Sequence, residues 1–315
     1  MMSGVQGNFA GKDRVYRYYS TDLSLRAAVV VTTAAAAKVS RQLECTPSAA
    51  MAIGRSMTGA ALLAAHLGEN QQIGLHFNGD GPIGGVFAEA TYDGDLRAWC
   101  GNPQVDIVRQ EKNPQARLDV SESIGKGVLT VVRSVPFEKQ PRVSTVPLVT
   151  GEIGQDIAFY LDQSLQIPSI VSLGVLLSDD GSIAGAAGVL IELMPGASPT
   201  VISKLENLAA NAPGLSTTIA KCSHPKELLQ LYTGDMSLVE SELTHDLHFR
   251  CRCSQSRLER SLALLGGPEL DELVKTHKDV EAKCQFCGAA YTIRTERMQE
   301  LLKEIRSSGE GPFED

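Results

Sequence analysis

Aromatic side chains are scarce in this 315-residue chain. They make up 5% of it, with one tryptophan (Trp99), although 43% of the residues are apolar. A core must therefore be assembled from Val, Leu, Ile and Ala. An excess of basic residues is also missing. The net charge is −8, and positions 251–315 hold ten Lys/Arg against twelve Asp/Glu, which argues against a nucleic-acid partner recognised through its phosphates. There is no long hydrophobic run. The most apolar one, Ala27 to Ala37, is interrupted by Thr32 and Thr33 and falls far short of the ~20 residues that span a bilayer. The first twelve residues are polar and glycine-containing, with no apolar signal-peptide core. The expectation is a cytoplasmic protein without a membrane partner. The strings HExxH, GxSxG and GxxxxGK[ST] do not occur, so the chain does not read as an enzyme.

Two other features carry little chemistry. Gly79-x-Gly81-x-x-Gly84 has the letters of a dinucleotide-binding loop, but a strand-like stretch follows it where such a site needs a helix. The reading is a hairpin turn. His66 and His76 fall on an alanine-rich helix and inside a strand, positions that suit packing or surface roles.

The length exceeds one ordinary core. Residues 1–197 read as an α+β core domain of mixed sheet and helix. Strands are expected over 14–32, helices over 33–44 and 47–67, and hairpin-rich β structure over 71–149. A helix at 151–166 and strands at 169–178 and 183–193 follow. Thr46 and Pro47 read as the N-cap and first residue of the second helix. Residues 198–250 form a helical linker with short amphipathic segments. Residues 251–315 form a small C-terminal zinc-binding domain. In it Ser254 caps a helix stopped at Gly266-Gly267, a hairpin spans 279–294, and Thr295 opens a last helix. Disorder is expected from Ser307 to Asp315.

What the chain does have is seven cysteines, four of them in two tight pairs, Cys251-Arg252-Cys253 and Cys284-Gln285-Phe286-Cys287, thirty residues apart. In a reducing compartment such a set reads as a metal site before a disulfide set. A tetrahedral Zn²⁺ with Zn–S bonds of ~2.3 Å takes four thiolates, and Gly288 directly after the second pair suits a positive φ that turns amides towards the sulfurs. His245, His248 and His277 lie near in sequence, but four thiols leave no place for them. Arg250, Arg252 and Lys283 flank the pairs and are expected to lower the thiol pKa values. A thioredoxin-type CxxC requires a helix after the motif, whereas Tyr291-Thr292-Ile293-Arg294 is strand-like. Cys45, Cys100 and Cys222 have no partner at useful spacing and read as small buried hydrophobes. Metal and oxidation compete for the same four sulfurs.

The ordered series Gly79-Asp80-Gly81-Pro82-Ile83-Gly84-Gly85, Gly101-Asn102-Pro103, Val146 to Ile153 and Leu193-Met194-Pro195-Gly196-Ala197, completed by the two cysteine pairs, resembles the heat shock protein 33 family of redox-regulated chaperones. The resemblance runs from about residue 13 to 305. It leaves out the N-terminal dozen residues, the acidic tail, and Cys45, Cys100 and Cys222. It implies a cytoplasmic, ATP-independent holdase. In the reduced, inactive monomer the four cysteines hold one Zn²⁺ per chain. Oxidants convert them to disulfides, Cys284–Cys287 first and Cys251–Cys253 second. Zinc is then expelled, the C-terminal region and linker unfold, the protein becomes a homodimer, and unfolding client proteins are held.

The residues fit that scheme. Structural zinc contributes ~10–16 kcal/mol, against ~5–15 kcal/mol for the whole stability of a domain. A Cys251–Cys253 bridge would be strained, because residues two apart in extended chain exceed disulfide spacing. Loss of the zinc domain would expose Leu205, Leu208, Leu228, Leu229 and Leu231 of the linker. The rival reading is a constitutive structural zinc module for partner docking. A thiol oxidoreductase is a third.

Overall fold

The computed structural model describes residues 12–105, 107, 120–276 and 278–308. The N-terminal dozen, apart from Lys12, and positions 309–315 of the expected disordered tail lie outside these residues. The chain separates into two compact units that meet at Arg250/Cys251.

The first unit is built around one helix. Strands β1 (Arg14–Ser20) and β2 (Leu25–Val31) lead into α1 (Thr33–Gln42) and α2 (Pro47–Ala64). Strands β3 (Gln72–Gly79), β4 (Val86–Thr91) and β5 (Asp95–Cys100) follow, then α3 (Val120–Ile124), β6 (Gly127–Ser134), β7 (Arg142–Pro147) and α4 (Ile153–Leu165). Next come β8 (Ser169–Leu177) and β9 (Ile183–Leu193). Helices α5 (Pro199–Asn211), α6 (Leu215–Ile219) and α7 (Pro225–Thr233) precede three short strands, β10 (Val239–Glu240), β11 (His245–Asp246) and β12 (His248–Phe249). One sheet has the order β10-β1-β2-β9-β8, with β11 also on β1; the other is β12-β5-β4-β3-β6-β7. All pairings are antiparallel except β12 on β5. The α+β class is as expected.

Helix α2 packs against strands of both sheets and is buried on nearly every side. This explains the composition. A helix buried all round must be apolar all round, and small residues let two sheets approach it. Its Pro47–Ala64 sequence is mostly Ala, Gly, Ser and Met. A Cβ added to Gly54 would lie 2.8 Å from Val175 Cγ2. Thr46 does precede Pro47 as the N-cap, but its hydroxyl caps no amide; it donates to the Pro103 (3.3 Å) and Val105 carbonyls instead.

Strand β2 explains the Ala27–Ala37 run. Successive strand residues face opposite ways, so Ala28 and Val30 join the core around α2 while Ala27 and Val29 join a second core on the outer face. That second core is completed by Leu205, Leu215, Ile219, Cys222, Leu228, Leu229 and Tyr232 from positions 198–250. The Tyr232 hydroxyl lies 2.6 Å from Ser172 Oγ. Leu205, Leu228 and Leu229 are therefore buried against the first unit's own sheet.

The glycine string at 79–85 is the β3–β4 hairpin turn. Its backbone is bonded to neighbouring loops, with Gly81 N on Ile124 O (2.9 Å), Ile83 N on Ser123 O (3.1 Å) and Asn102 N on Ile83 O (2.7 Å). Asp156, fully buried in α4, accepts from the amides of Val149 (2.8 Å) and Thr150 (3.1 Å). These stretches are packing signatures.

The second unit contains α8 (Gln255–Ala263), α9 (Gly267–Lys275), the hairpin β13 (Val280–Lys283) and β14 (Ala290–Ile293), and α10 (Thr295–Ser308). Its buried core is six residues: Leu262, Leu270, Ile293, Met298, Leu301 and Leu302. No helix among the described residues is long and apolar enough to cross a membrane.

Candidate metal centre

The hairpin builds one half of the site. Strands β13 and β14 pair from Val280↔Ile293 to Lys283↔Ala290, so Cys284 follows the last paired residue and Cys287 sits at the tip. The turn is closed by Cys284 N on Ala289 O and Gly288 N on Cys284 O, both 2.8 Å. Gly288 has φ 71°, the left-handed geometry that its place after the pair predicts.

The other half is the extended stretch before α8. Ser254 Oγ accepts from Arg257 N at 3.2 Å, the N-cap expected there. Arg257 Nη1 donates to the Arg252 carbonyl at 2.9 Å, holding the residue between Cys251 and Cys253. Gln255 Nε2 donates to Thr292 O at 3.1 Å and ties this half to β14.

Together the two halves bring the sulfurs of Cys251, Cys253, Cys284 and Cys287 within 4.8 Å of one another. Cys251 and Cys284 are 3.6 Å apart, Cys253 and Cys287 3.3 Å. Sulfurs on a tetrahedral ion with ~2.3 Å bonds lie a little under ~4 Å apart, so this donor set fits a four-coordinate thiolate site. Amides support it: Cys253 N–H donates to the Cys251 sulfur and Ala289 N–H to that of Cys287.

The thiols are not equivalent. Burial pushes Cys251 up to about 12 and raises Cys287. For Cys253 burial also acts upwards, but the Tyr291 hydroxyl, 3.0 Å away, and the neighbouring thiols outweigh it and bring it down to about 7. Tyr291, bonded to that sulfur, rises to about 12. Tyr291 is a neighbour of the cluster that composition and spacing leave unread; its one signal is a hydroxyl-bearing residue four positions after Cys287. The basic neighbours expected to do this work do not all stay near the thiols. Arg250 pairs with Asp95 Oδ2 at 3.7 Å in the first unit.

The histidines are placed elsewhere. His245 Nδ1 meets Arg17 Nη1 at 3.1 Å, and His248 Nε2 meets Asp95 Oδ1 at 2.8 Å; His277 lies outside the described residues. His66 pairs with Glu192 at 3.0 Å, and His76 lies against the Phe87 and Trp99 rings. Cys222 is buried in the second core of the first unit. Cys100 is buried in the first core and Cys45 packs half-buried against it, as small apolar residues would, but the two thiols also lie near enough to shift each other's ionisation. Their sequence separation hid a contact that only the folded sheet and helix pair create.

Fold and site together define a two-unit α+β protein with a cluster of four cysteine thiols in its second unit. The family model described as Hsp33 protein matches residues 13–294. The chain belongs to the Hsp33 family. It is 35% identical to the 33 kDa chaperonin of Thermoanaerobacter sp. (strain X514), over 93% of this chain and 98% of that one. It is also 35% identical to the 33 kDa chaperonin of Synechococcus sp. (strain JA-3-3Ab), over 94% and 92%. The crystal structure of the 33 kDa chaperonin (heat shock protein 33 homolog) of Thermotoga maritima superposes with a TM-score of 0.83 at 29% identity, covering 94% of this chain and all of that one.

Proposed function

We propose that this protein is an ATP-independent holdase chaperone of the cytoplasm, switched on by oxidation. Its domains are a core over 1–197, a linker over 198–250 and a redox-switch domain over 251–315. In the reduced monomer Cys251, Cys253, Cys284 and Cys287 hold one Zn²⁺. The ion supplies a cross-link between the hairpin and the segment before α8. The observation that carries this reading is the four-thiol cluster joining the two halves of a unit in which six side chains are buried among the described residues. The name shared by the relatives supports the chaperone role.

Peroxide or hypochlorous acid takes two electrons from each thiol pair. The pairs close as Cys284–Cys287 and then Cys251–Cys253, each losing two protons, while the oxidant is reduced to water, or to water and chloride. Disulfides across such short loops return about 2 kcal/mol each at best, far less than the ~10–16 kcal/mol of a structural zinc site. The unit then opens, and its leucines, beginning with the exposed Leu264 and Leu265, become the first apolar surface for unfolding clients. The linker leucines follow only if their packing on the first unit's sheet is broken as well. The opened chains associate as a homodimer.

The test is native mass spectrometry for zinc, thiol counting and suppression of client aggregation, each before and after oxidant. Loss of one zinc with four thiols and a gain in suppression is expected. Retained zinc with unchanged suppression would sink the proposal in favour of a permanently folded docking module.

A further inference from the structure

We infer that Cys45 and Cys100 form a second thiol pair, inside the first unit, which a hydroperoxide closes to a disulfide. Cys45 owes its place to the end of α1. Glu44 takes a left-handed φ of 54°, Glu44 N bonds Arg41 O (3.2 Å) and Cys45 N bonds Ser40 O (2.9 Å), the pattern of a Schellman stop. Cys100 ends β5 opposite Val86. The chain on each side of the pair is tied across. Thr46 N donates to Pro103 O at 2.9 Å, and Gln104 Nε2 to Glu44 O at 2.7 Å. These ties and a shared core hold Cys45 beside Cys100, and each thiol shifts the ionisation of the other.

The pair is also asymmetric in a way that assigns roles. Cys45 is half-buried, whereas Cys100 is only 8% exposed. The neighbouring Cys100 thiol lowers the Cys45 pKa against the opposing effect of burial, helped by Ser40, and Cys45 together with burial raises Cys100. Cys45 is the attacking sulfur and Cys100 the resolving one. The Cys45 thiolate attacks the peroxide, breaking the O–O bond to give a sulfenic acid and hydroxide, which takes up the proton that Cys45 released. Cys100 then attacks the Cys45 sulfur. The S–S bond forms, the S–O bond breaks, and the departing oxygen leaves as water with the Cys100 proton. Two thiols lose two electrons and one peroxide becomes two waters.

The link closes a loop containing α2, β3 and β4, and so restrains the unfolded first unit. Oxidation would tighten this unit by chemistry that, at the four-thiol cluster, opens the other. This inference does not rest on the proposed function.

The test treats the natural full-length chain, and a variant carrying Cys251→Ser, Cys253→Ser, Cys284→Ser and Cys287→Ser, with hydrogen peroxide. Each is then alkylated, digested without reduction and analysed by mass spectrometry. A peptide joining Cys45 to Cys100 is expected in both proteins. A rise on the order of 5 °C in the melting temperature of the first unit, reversed by dithiothreitol and absent in Cys45→Ala, is expected with it. The inference is overturned if Cys45 stays alkylatable, ends as a sulfinic acid, or links to Cys222, at a peroxide dose that oxidises a free cysteine standard. A Cys45–Cys100 link found with the four C-terminal thiols untouched would support this pair while removing the proposed switch.

Discussion

Stripping the metal from the reduced protein with a high-affinity chelator should unfold residues 251–308 and leave the first unit intact. The magnitude follows from the size of the second unit. The roughly 60 described residues of that unit, with six buried side chains among them, carry a stability of about 3–9 kcal/mol at ~0.05–0.15 kcal/mol per residue. A structural zinc site contributes ~10–16 kcal/mol. Even the least favourable pairing of those ranges leaves the metal-free unit about 1 kcal/mol short of folding, hence mostly unfolded. Hydrogen exchange read by mass spectrometry distinguishes the units. Amides of β13, β14 and α10 should lose protection on chelation and regain it when zinc is returned. Those of β2 and β9, buried between two cores, should not change. If β14 kept its protection to within about tenfold without metal, the six-residue core would suffice alone, and the reasoning that makes the cluster a latch would fail.

Four further outcomes test individual parts. Gly288→Ala places a Cβ at φ 71°, costs about 1–2 kcal/mol and should weaken metal retention about tenfold in a chelator competition. Tyr291→Phe removes the hydroxyl on Cys253. Metal affinity should fall about 10–100-fold, the usual loss for a group that orients a ligand, and metal-free Cys253 should alkylate more slowly at pH 7. Leu270→Ala, at a fully buried site, costs ~2–5 kcal/mol and should release zinc at a lower peroxide dose than the natural chain needs. Glu192 is buried, which raises its pKa, but His66 and Arg26 (2.6 Å) outweigh this and hold it below the usual carboxylate value. A depressed carboxylate stabilises the fold above its unfolded pKa and loses that contribution as pH falls through the folded value. Glu192→Gln should thus cost about 1.5–3 kcal/mol at pH 7, shrinking below pH 4.5, as measured by urea unfolding of the first unit.

What could be read from the residues, and what could not, divides along sequence distance. The cysteine pairs, the Ser254 cap and the Gly288 turn are local, since each is set by residues two to four apart. The long strands and α1, α2 and α4 announce themselves by period or composition. Helix α9 was missed because Gly266-Gly267-Pro268 reads as a stop, yet Gly266 serves as the N-cap and Pro268 falls in the first turn. Strands β10, β11 and β12 have two residues each, too few to show alternation. The short amphipathic helices of 198–250 find their partner in β2 and β9, some 10 to 200 positions back, and a pattern shows which face is apolar without showing what covers it. The same limit hid Cys45 and Cys100. Each lacks a neighbour at metal or disulfide spacing, and their meeting depends on where α1 stops and where β5 ends. Thiol chemistry in this chain is therefore encoded in two ways, one by spacing and one by fold. Only the first survives unfolding of the chain: Cys251–Cys253 and Cys284–Cys287 can still find each other as neighbours, whereas Cys45 and Cys100 lose contact. The rate of Cys45–Cys100 linkage under peroxide should accordingly collapse in urea, while closure of Cys284–Cys287 persists.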